Sequence, residues 1–156
     1  MVINLVHGNI FGGGLGFIGA GDLTLALKDS GFCLPELRLG LVPSVIMPYL
    51  LTRVKPADLK YHVFNSEIFS AAEAHRIGLA DLVCKDSEEM EQKADDLIRN
   101  ICIASPGALT EAKRLFRKLN GSLINSDNIK ETVKTLTMAK MATDAQRRMT
   151  KFLSKH

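Results

Sequence analysis

Up to about residue 55, apolar residues come in short uninterrupted runs; beyond it they recur at helical spacing. Val2-Ile3-Asn4-Leu5-Val6 is β-branched, uncharged and five residues long, the mark of a buried strand. Gly12-Gly13-Gly14 turns the chain into a short apolar helix from about Leu15 to Gly21, and Leu23 to Leu27 returns as a second strand. Asp29-Ser30-Gly31 is a turn, and Phe32-Cys33-Leu34 is a short extended piece closed by Pro35. Ser44 to Arg53 is expected to be helical, with Pro48 in its first turn, and Pro56 to Phe64 forms the next helix. Ser70-Ala71-Ala72-Glu73 has the spacing of a capping box, in which serine and glutamate satisfy the open donors of a helix start, and Gly78 ends that helix. Asp81 to Cys84 is a last short strand. Glu88 to Ala104 places Met90, Ala94, Leu97, Ile98 and Ile101 on one face. Ser105 with Pro106 then opens a helix to about Leu119, Asn120-Gly121-Ser122 breaks it, and Asp127–Ala142 and Asp144–Ser154 complete the chain as helices.

This pattern divides the chain into an α/β layer over residues 1–85 and a helical region over residues 86–156, without repeats or a long linker. The first part holds few strands for a full sheet, which suggests further sequence before it or a partner that completes it. With 156 residues, 46% hydrophobic and 24% charged, the chain has the means for a sizeable core. A net charge of +3, spread along the chain, makes no case for nucleic acid. No apolar run reaches the roughly 20 residues that span a bilayer, and Met1 to Gly8 lacks the basic start of a signal peptide. Cys33, Cys84 and Cys102 stand far apart among apolar neighbours, as buried thiols in a reducing compartment, and a cytoplasmic location is expected. The four histidines, His7, His62, His75 and His156, share no metal-ligand spacing.

Two stretches carry candidate chemistry. In Val6-His7-Gly8-Asn9-Ile10-Phe11-Gly12-Gly13-Gly14-Leu15-Gly16, glycines after a strand let a ligand approach the main-chain N–H groups at the positive end of a helix. Such donors suit a developing oxyanion; a plain tight turn between helix and sheet would use the same residues. Gly14-Leu15-Gly16-Phe17-Ile18-Gly19 also matches the dinucleotide fingerprint GxGxxG. However, Gly8 to Gly13 separate it from the strand, and no acid ends the strand at Leu27. The second stretch is Leu34 to Pro43, where Glu36 is a lone carboxylate among apolar residues. Burial disfavours the charged form of a carboxylic acid and equips such a group for proton transfer near neutral pH. Two other uses of Glu36 are a surface pair with Arg38 and a cap on the helix after Pro35.

Taken in order, GNIFGGGLGFIGAGD, LPELRLGLVPSVIMPYL, SAAEAHRIGLADLV and ASPGALTEAKRL resemble the enoyl-CoA hydratase/isomerase (crotonase) family across essentially the whole chain. The wording around Pro43-Ser44-Val45-Ile46-Met47-Pro48-Tyr49 is most similar to the branch with methylglutaconyl-CoA hydratases. The resemblance implies the C-terminal part of a ββα superhelix that binds an acyl-CoA substrate and assembles as homotrimers or hexamers. No separate cofactor and no metal is implied, the coenzyme A thioester being itself the substrate. It implies an oxyanion donor at the Gly13 N–H, a second donor from a family segment that this sequence lacks, and proton transfer by Glu36. Phe11, Gly12, Gly16 and Pro43 fall at substrate-binding positions, and Phe152 and Lys155 match an F-x-x-K pattern for the adenine and 3′-phosphate of coenzyme A. Two-glutamate hydratases place their other acid where this chain has Gly16. The implied activities are hydration of a 2-enoyl-CoA, double-bond isomerisation with Glu36 as single base, or none, in a truncated subunit.

Overall fold

The computed structural model describes residues 1–120 and 126–154, apart from the side chains of Asn128, Phe152 and Leu153. It forms two compact units, Met1–Asp96 and Leu97–His156, which divide inside one helix.

The first unit is built on two small sheets. β1 (Ile3–Val6), β3 (Leu23–Leu27) and β6 (Leu82–Cys84) form one sheet, all parallel. β2 (Ile10–Phe11) and β4 (Gly31–Cys33) pair in parallel in the other, with β5 (Phe69–Ser70) antiparallel to β4. Parallel strands are covered on both faces, which is why β3 and β4 are nearly continuous apolar runs. Thr24 is the polar exception in β3; its hydroxyl accepts from Asn4 Nδ2 at 3.2 Å, and its N–H donates to Asp81 Oδ2 at 2.7 Å. β2 and β5 are two-residue strands without a periodic signature, so the chain holds more strand pairing than its apolar runs suggest.

α1 (Gly13–Ala20) follows β2 and buries Leu15, Ile18 and Gly19. α3 (Pro56–Asn65) and α4 (Ala71–Arg76) cover the strands from residues 56 onward. The Ser70 hydroxyl accepts from the Glu73 N–H at 3.2 Å, the serine half of the expected capping box. The long helix expected over 44–53 is instead the short α2 (Met47–Leu50) between turns. Pro48 has no N–H to donate, and the neighbouring bonds tighten to three-residue spacing, as from Tyr49 N to Ile46 O and Arg53 N to Leu50 O. Arg53 ties this segment down: it donates to Asp81 Oδ2 at 2.5 Å, to the Asp22 carbonyl at 3.4 Å and to the Gly78 carbonyl at 3.4 Å.

α5 (Ser87–Ile103) begins in the first unit, where Met90 and Ala94 are buried; farther along, Leu97 and Ile101 are half-buried and Ile98 is exposed. Cys33 and Cys84 are buried thiols, but Cys102 is exposed. It sits on the flank of α5 beside the exposed Ile103, off the stripe begun by Met90 and Ala94. In the second unit, α6 (Pro106–Leu119) and α7 (Ser126–Met141) are linked by Glu131, which accepts from Arg114 at 3.0 Å and Lys118 at 3.1 Å. In α8 (Thr143–Leu153), hydrogen bonds from Ser105, then Arg147 and Arg148, hold the Asp144 carboxyl down to about 2. No helix among the described residues is long and apolar enough to cross a membrane.

Candidate active site

The two chemical stretches meet because β2 and β4 are parallel neighbours. Phe11 pairs with Cys33, so the chain leaving each strand emerges at the same end of the sheet. From β2 it enters Gly12 and the start of α1; from β4 it passes Leu34 and Pro35 to Glu36, the first residue of a single 3₁₀ turn (Glu36–Leu39). The Gly12 N–H donates to the Cys33 carbonyl at 2.9 Å and locks the two exits together.

Gly12 has φ +49° and ψ −118°, a conformation that essentially only glycine adopts without strain. A Cβ at Gly12 would lie 3.1 Å from Glu36 Oε1, so the missing side chain is also what makes room for the carboxylate. The other oxygen, Oε2, is buried and has no hydrogen-bond partner among the described residues. Unpaired buried oxygens cost free energy, and a donor brought by a ligand would relieve that cost. Neither of the two other uses of Glu36 is realised in full. Arg38 donates instead to the Asn65 carbonyl at 3.3 Å, and Glu36 begins its short turn without a side-chain cap bond.

Gly13 is the first residue of α1, is exposed, and has open space within 4 Å of where a Cβ would sit. N–H groups of a helix's first turn have no partner within the helix and lie at its positive end. The site is therefore an accessible main-chain donor one residue beyond the glycine that touches an acid. Phe11, next to Gly12 in sequence, is 48% exposed, and it also lines a depression of about 490 Å³ with Cys33, Pro35, Arg38 and Ile68 among others, which Gly12, Gly13 and Glu36 do not line. Burial pushes the Cys33 thiol up, which outweighs the lowering by Arg38, and keeps it protonated rather than nucleophilic.

Gly16 lies one turn farther along α1, against Ile46: a Cβ there would stand 2.6 Å from Ile46 Cγ2. Position 16 is thus a contact between α1 and the segment before α2, and nothing larger fits without moving Ile46. Gly19 is packed against the Tyr49 main chain in the same way: a Cβ there would stand 2.8 Å from the Tyr49 carbonyl carbon. Pro43 is buried, its carbonyl accepting from Met47 N at 3.0 Å. The GxGxxG string falls wholly inside α1, not at a strand-to-helix turn. Ile46 escaped notice in the sequence, because one isoleucine among apolar neighbours carries no signal. Phe152 lies in α8 with its side chain outside the described atoms, and Lys155 lies outside the described residues. Among the described residues no cluster of three or more His, Cys, Asp or Glu could hold a metal ion.

The enoyl-CoA hydratase/isomerase description matches residues 1–156, the whole chain. The chain belongs to the enoyl-CoA hydratase/isomerase family. Relatives include an enoyl-CoA hydratase, ACTT6, of Alternaria alternata, 28% identical over 81% of this chain and 42% of its own length. The carnitinyl-CoA dehydratase of Salmonella typhi is 34% identical over 74% of this chain and 44% of its own. Among solved structures, an enoyl-CoA hydratase from Shewanella pealeana superposes with a TM-score of 0.91 at 26% identity, covering 99% of this chain and 57% of that one. The human enoyl-CoA hydratase domain-containing protein 3 shares the fold, with a TM-score of 0.89 at 24% identity. The chain thus spans less than half the length of these curated relatives and somewhat over half that of the solved structures. The mixed α/β layer of the first unit and the helices that follow are the crotonase fold in the part it covers.

Proposed function

We propose that this chain is the acid-bearing part of an acyl-CoA lyase of the enoyl-CoA hydratase type. The observation that supports it is the contact between Gly12 and Glu36, which sets a carboxylate with an unpartnered oxygen beside the exposed start of α1. In this reading the Gly13 N–H donates to the thioester oxygen of a 2-enoyl-CoA and stabilises the negative charge that oxygen gains as water adds. Glu36 accepts a proton from that water while the water oxygen bonds to C3; the protonated Glu36 then returns a proton to C2, and the carbon–carbon π bond is replaced by C3–O and C2–H bonds. Phe11, Gly12, Gly16 and Pro43 shape the wall next to the acyl group, and Phe152 and Lys155 hold the adenine and 3′-phosphate of coenzyme A. The thioester is the substrate, and the chemistry calls for no further cofactor. The working unit would be a homotrimer or hexamer.

A second reading, isomerisation of a 3-enoyl-CoA, draws on the contact between Gly16 and Ile46. With no room for a side chain at position 16, Glu36 would remove and return the proton alone. A third, a subunit without turnover, draws on the share of its relatives' length that the chain covers. Losing one oxyanion donor typically costs about 10²–10³ in rate. Mixing the chain separately with a 2-enoyl-CoA and a 3-enoyl-CoA distinguishes the three through the conjugated enoyl-thioester absorbance. Its loss from the first substrate supports hydration, its appearance from the second supports isomerisation, and no change in either, with coenzyme A still bound, supports the third.

A further inference from the structure

His62 is a buried titratable side chain that the chemistry above does not use. It lies in the last turn of α3 and is 4% exposed. Its ring is tilted against Phe69 at 4.0 Å between centroids, and its Nε2 lies 3.1 Å from Glu73 Oε1. The Glu73 carboxyl, held down to about 2 chiefly by the Arg76 hydrogen bond, is ionised at neutral pH and can only accept. Nε2 therefore carries the proton of the neutral ring, and no described residue bonds to Nδ1. The charged and titratable groups about the ring are Glu73 and, behind it, Arg76 from α4, then Asp58 and Tyr61 from α3 itself. From β5 and β4 it meets apolar rings, Phe69 and then Phe32, which stack at 5.7 Å, with the Cys33 thiol beyond them.

The residues after His62 grip the turn that bears Glu36. The Asn65 carbonyl accepts from Arg38 Nη2 at 3.3 Å, and the Ser66 carbonyl accepts from the Cys33 thiol at 3.4 Å, so Glu36 is held on both sides in sequence. These two carbonyls flank the Cα of Ser66, the one non-glycine residue at positive φ (+53°) among those described. A left-handed backbone is strained for a residue with a Cβ and persists only where its neighbours enforce it. Here the Ser66 N–H donates to the His62 carbonyl at 3.0 Å, and its Oγ donates to the Val63 carbonyl at 2.8 Å. We propose that His62 is a positioning residue for Glu36: its neutral ring, tied to Glu73, keeps the last turn of α3 and the left-handed Ser66 in place, and protonation releases them. The protonated ring has a second N–H, at Nδ1, which is buried without an acceptor. Glu73 attracts the added charge, but its oxygens already take two bonds from another cation, Arg76. The turn loosens until the new N–H reaches water, Ser66 relaxes to negative φ, and both carbonyls let go of Arg38 and Cys33. Glu36 thus stands in place at neutral pH and is displaced in acid. The effect on turnover rests on the acyl-CoA reading above; the tie itself does not.

Nuclear magnetic resonance of the isotopically labelled chain between about pH 8 and about pH 5, where histidines change charge, tests this without substrate. The His62 imidazole signal supplies its own titration curve, distinct from those of the other histidines. The amides of Glu36, Arg38 and Ser66 are expected to shift along that curve. Protection of the Ser66 amide against exchange, corrected for the intrinsic rate, should fall about tenfold or more across it. His62→Gln keeps a donor near the Nε2 position and does not titrate, so it should hold the turn and lose the response. Circular dichroism checks that this variant folds, and the coupling in the unmodified chain is independent of any variant. In assays with a 2-enoyl-CoA, kcat should fall in acid along the His62 curve, and that part of the fall should be absent from His62→Gln. Amides around Glu36 that ignore the His62 curve overturn the proposal, as does an equal response in His62→Gln. An intact amide response without turnover would uphold the tie and count against the acyl-CoA reading alone.

Discussion

Gly12 carries more of this account than any other residue, because two requirements coincide there. Its backbone sits at φ +49°, and its missing Cβ leaves the space that Glu36 Oε1 occupies. Gly12→Ala should therefore destabilise the fold by about 1–3 kcal/mol, the usual cost of such a conformation for a residue with a side chain, read as a lower midpoint in urea. It should also displace Glu36. Glu36→Gln keeps the shape and removes the base, so turnover of an enoyl-CoA should fall by about 10²–10⁴ with stability unchanged. Assay of a freshly purified variant against its parent checks this, and retained turnover would take Glu36 out of the mechanism. At this scale the sequence was informative: a glycine run and a solitary acid are visible as letters. Ile46 was not, because what it does depends on reaching across to Gly16, and no local pattern encodes that contact.

Among the elements, α4 shows how local sequence and packing share a task. Ser70 caps it, and Ser70→Ala should cost about 1 kcal/mol in chemical denaturation. Glu73 also accepts from Arg76 at 2.7 Å and approaches His62 Nε2 at 3.1 Å. Chiefly through the Arg76 hydrogen bond, its carboxyl is held down to about 2 from an ordinary 4.5. A depressed carboxyl contributes stability that is complete above its ordinary value and is lost as pH falls toward its folded value. Unfolding midpoints should thus drop between pH 4.5 and about 2, and Glu73→Gln should flatten part of that drop. An equal slope in parent and variant would contradict the assignment. The start of α4 was legible because the Ser70 cap is local chemistry, whereas Ser105 makes no side-chain cap bond at the start of α6, and β2 and β5, two residues each, left no pattern in the sequence. Strands that short exist through pairing with β4, which is remote in sequence.

For the molecule as a whole, Arg53 is the tie between distant segments, bonding the start of β3 through the Asp22 carbonyl, the end of α4 through the Gly78 carbonyl, and Asp81 before β6. Arg53→Met should cost about 2–3 kcal/mol, as expected for losing hydrogen bonds to a charged group, with thermal unfolding as the readout. The α/β class and the following helices were readable from the change of apolar period, while the pairing of two small sheets needed the chain folded. The same folded arrangement brings the ends of β2 and β4 together and so makes a site of two separated stretches. Titrating the isotopically labelled chain with a saturated acyl-CoA thioester, followed by backbone amide shifts, tests that convergence without requiring turnover. The Gly13 amide and the residues around Glu36 should move together, with one shared saturation curve. Shifts confined to other parts of the molecule, or separate saturation of the two stretches, would contradict a common thioester site.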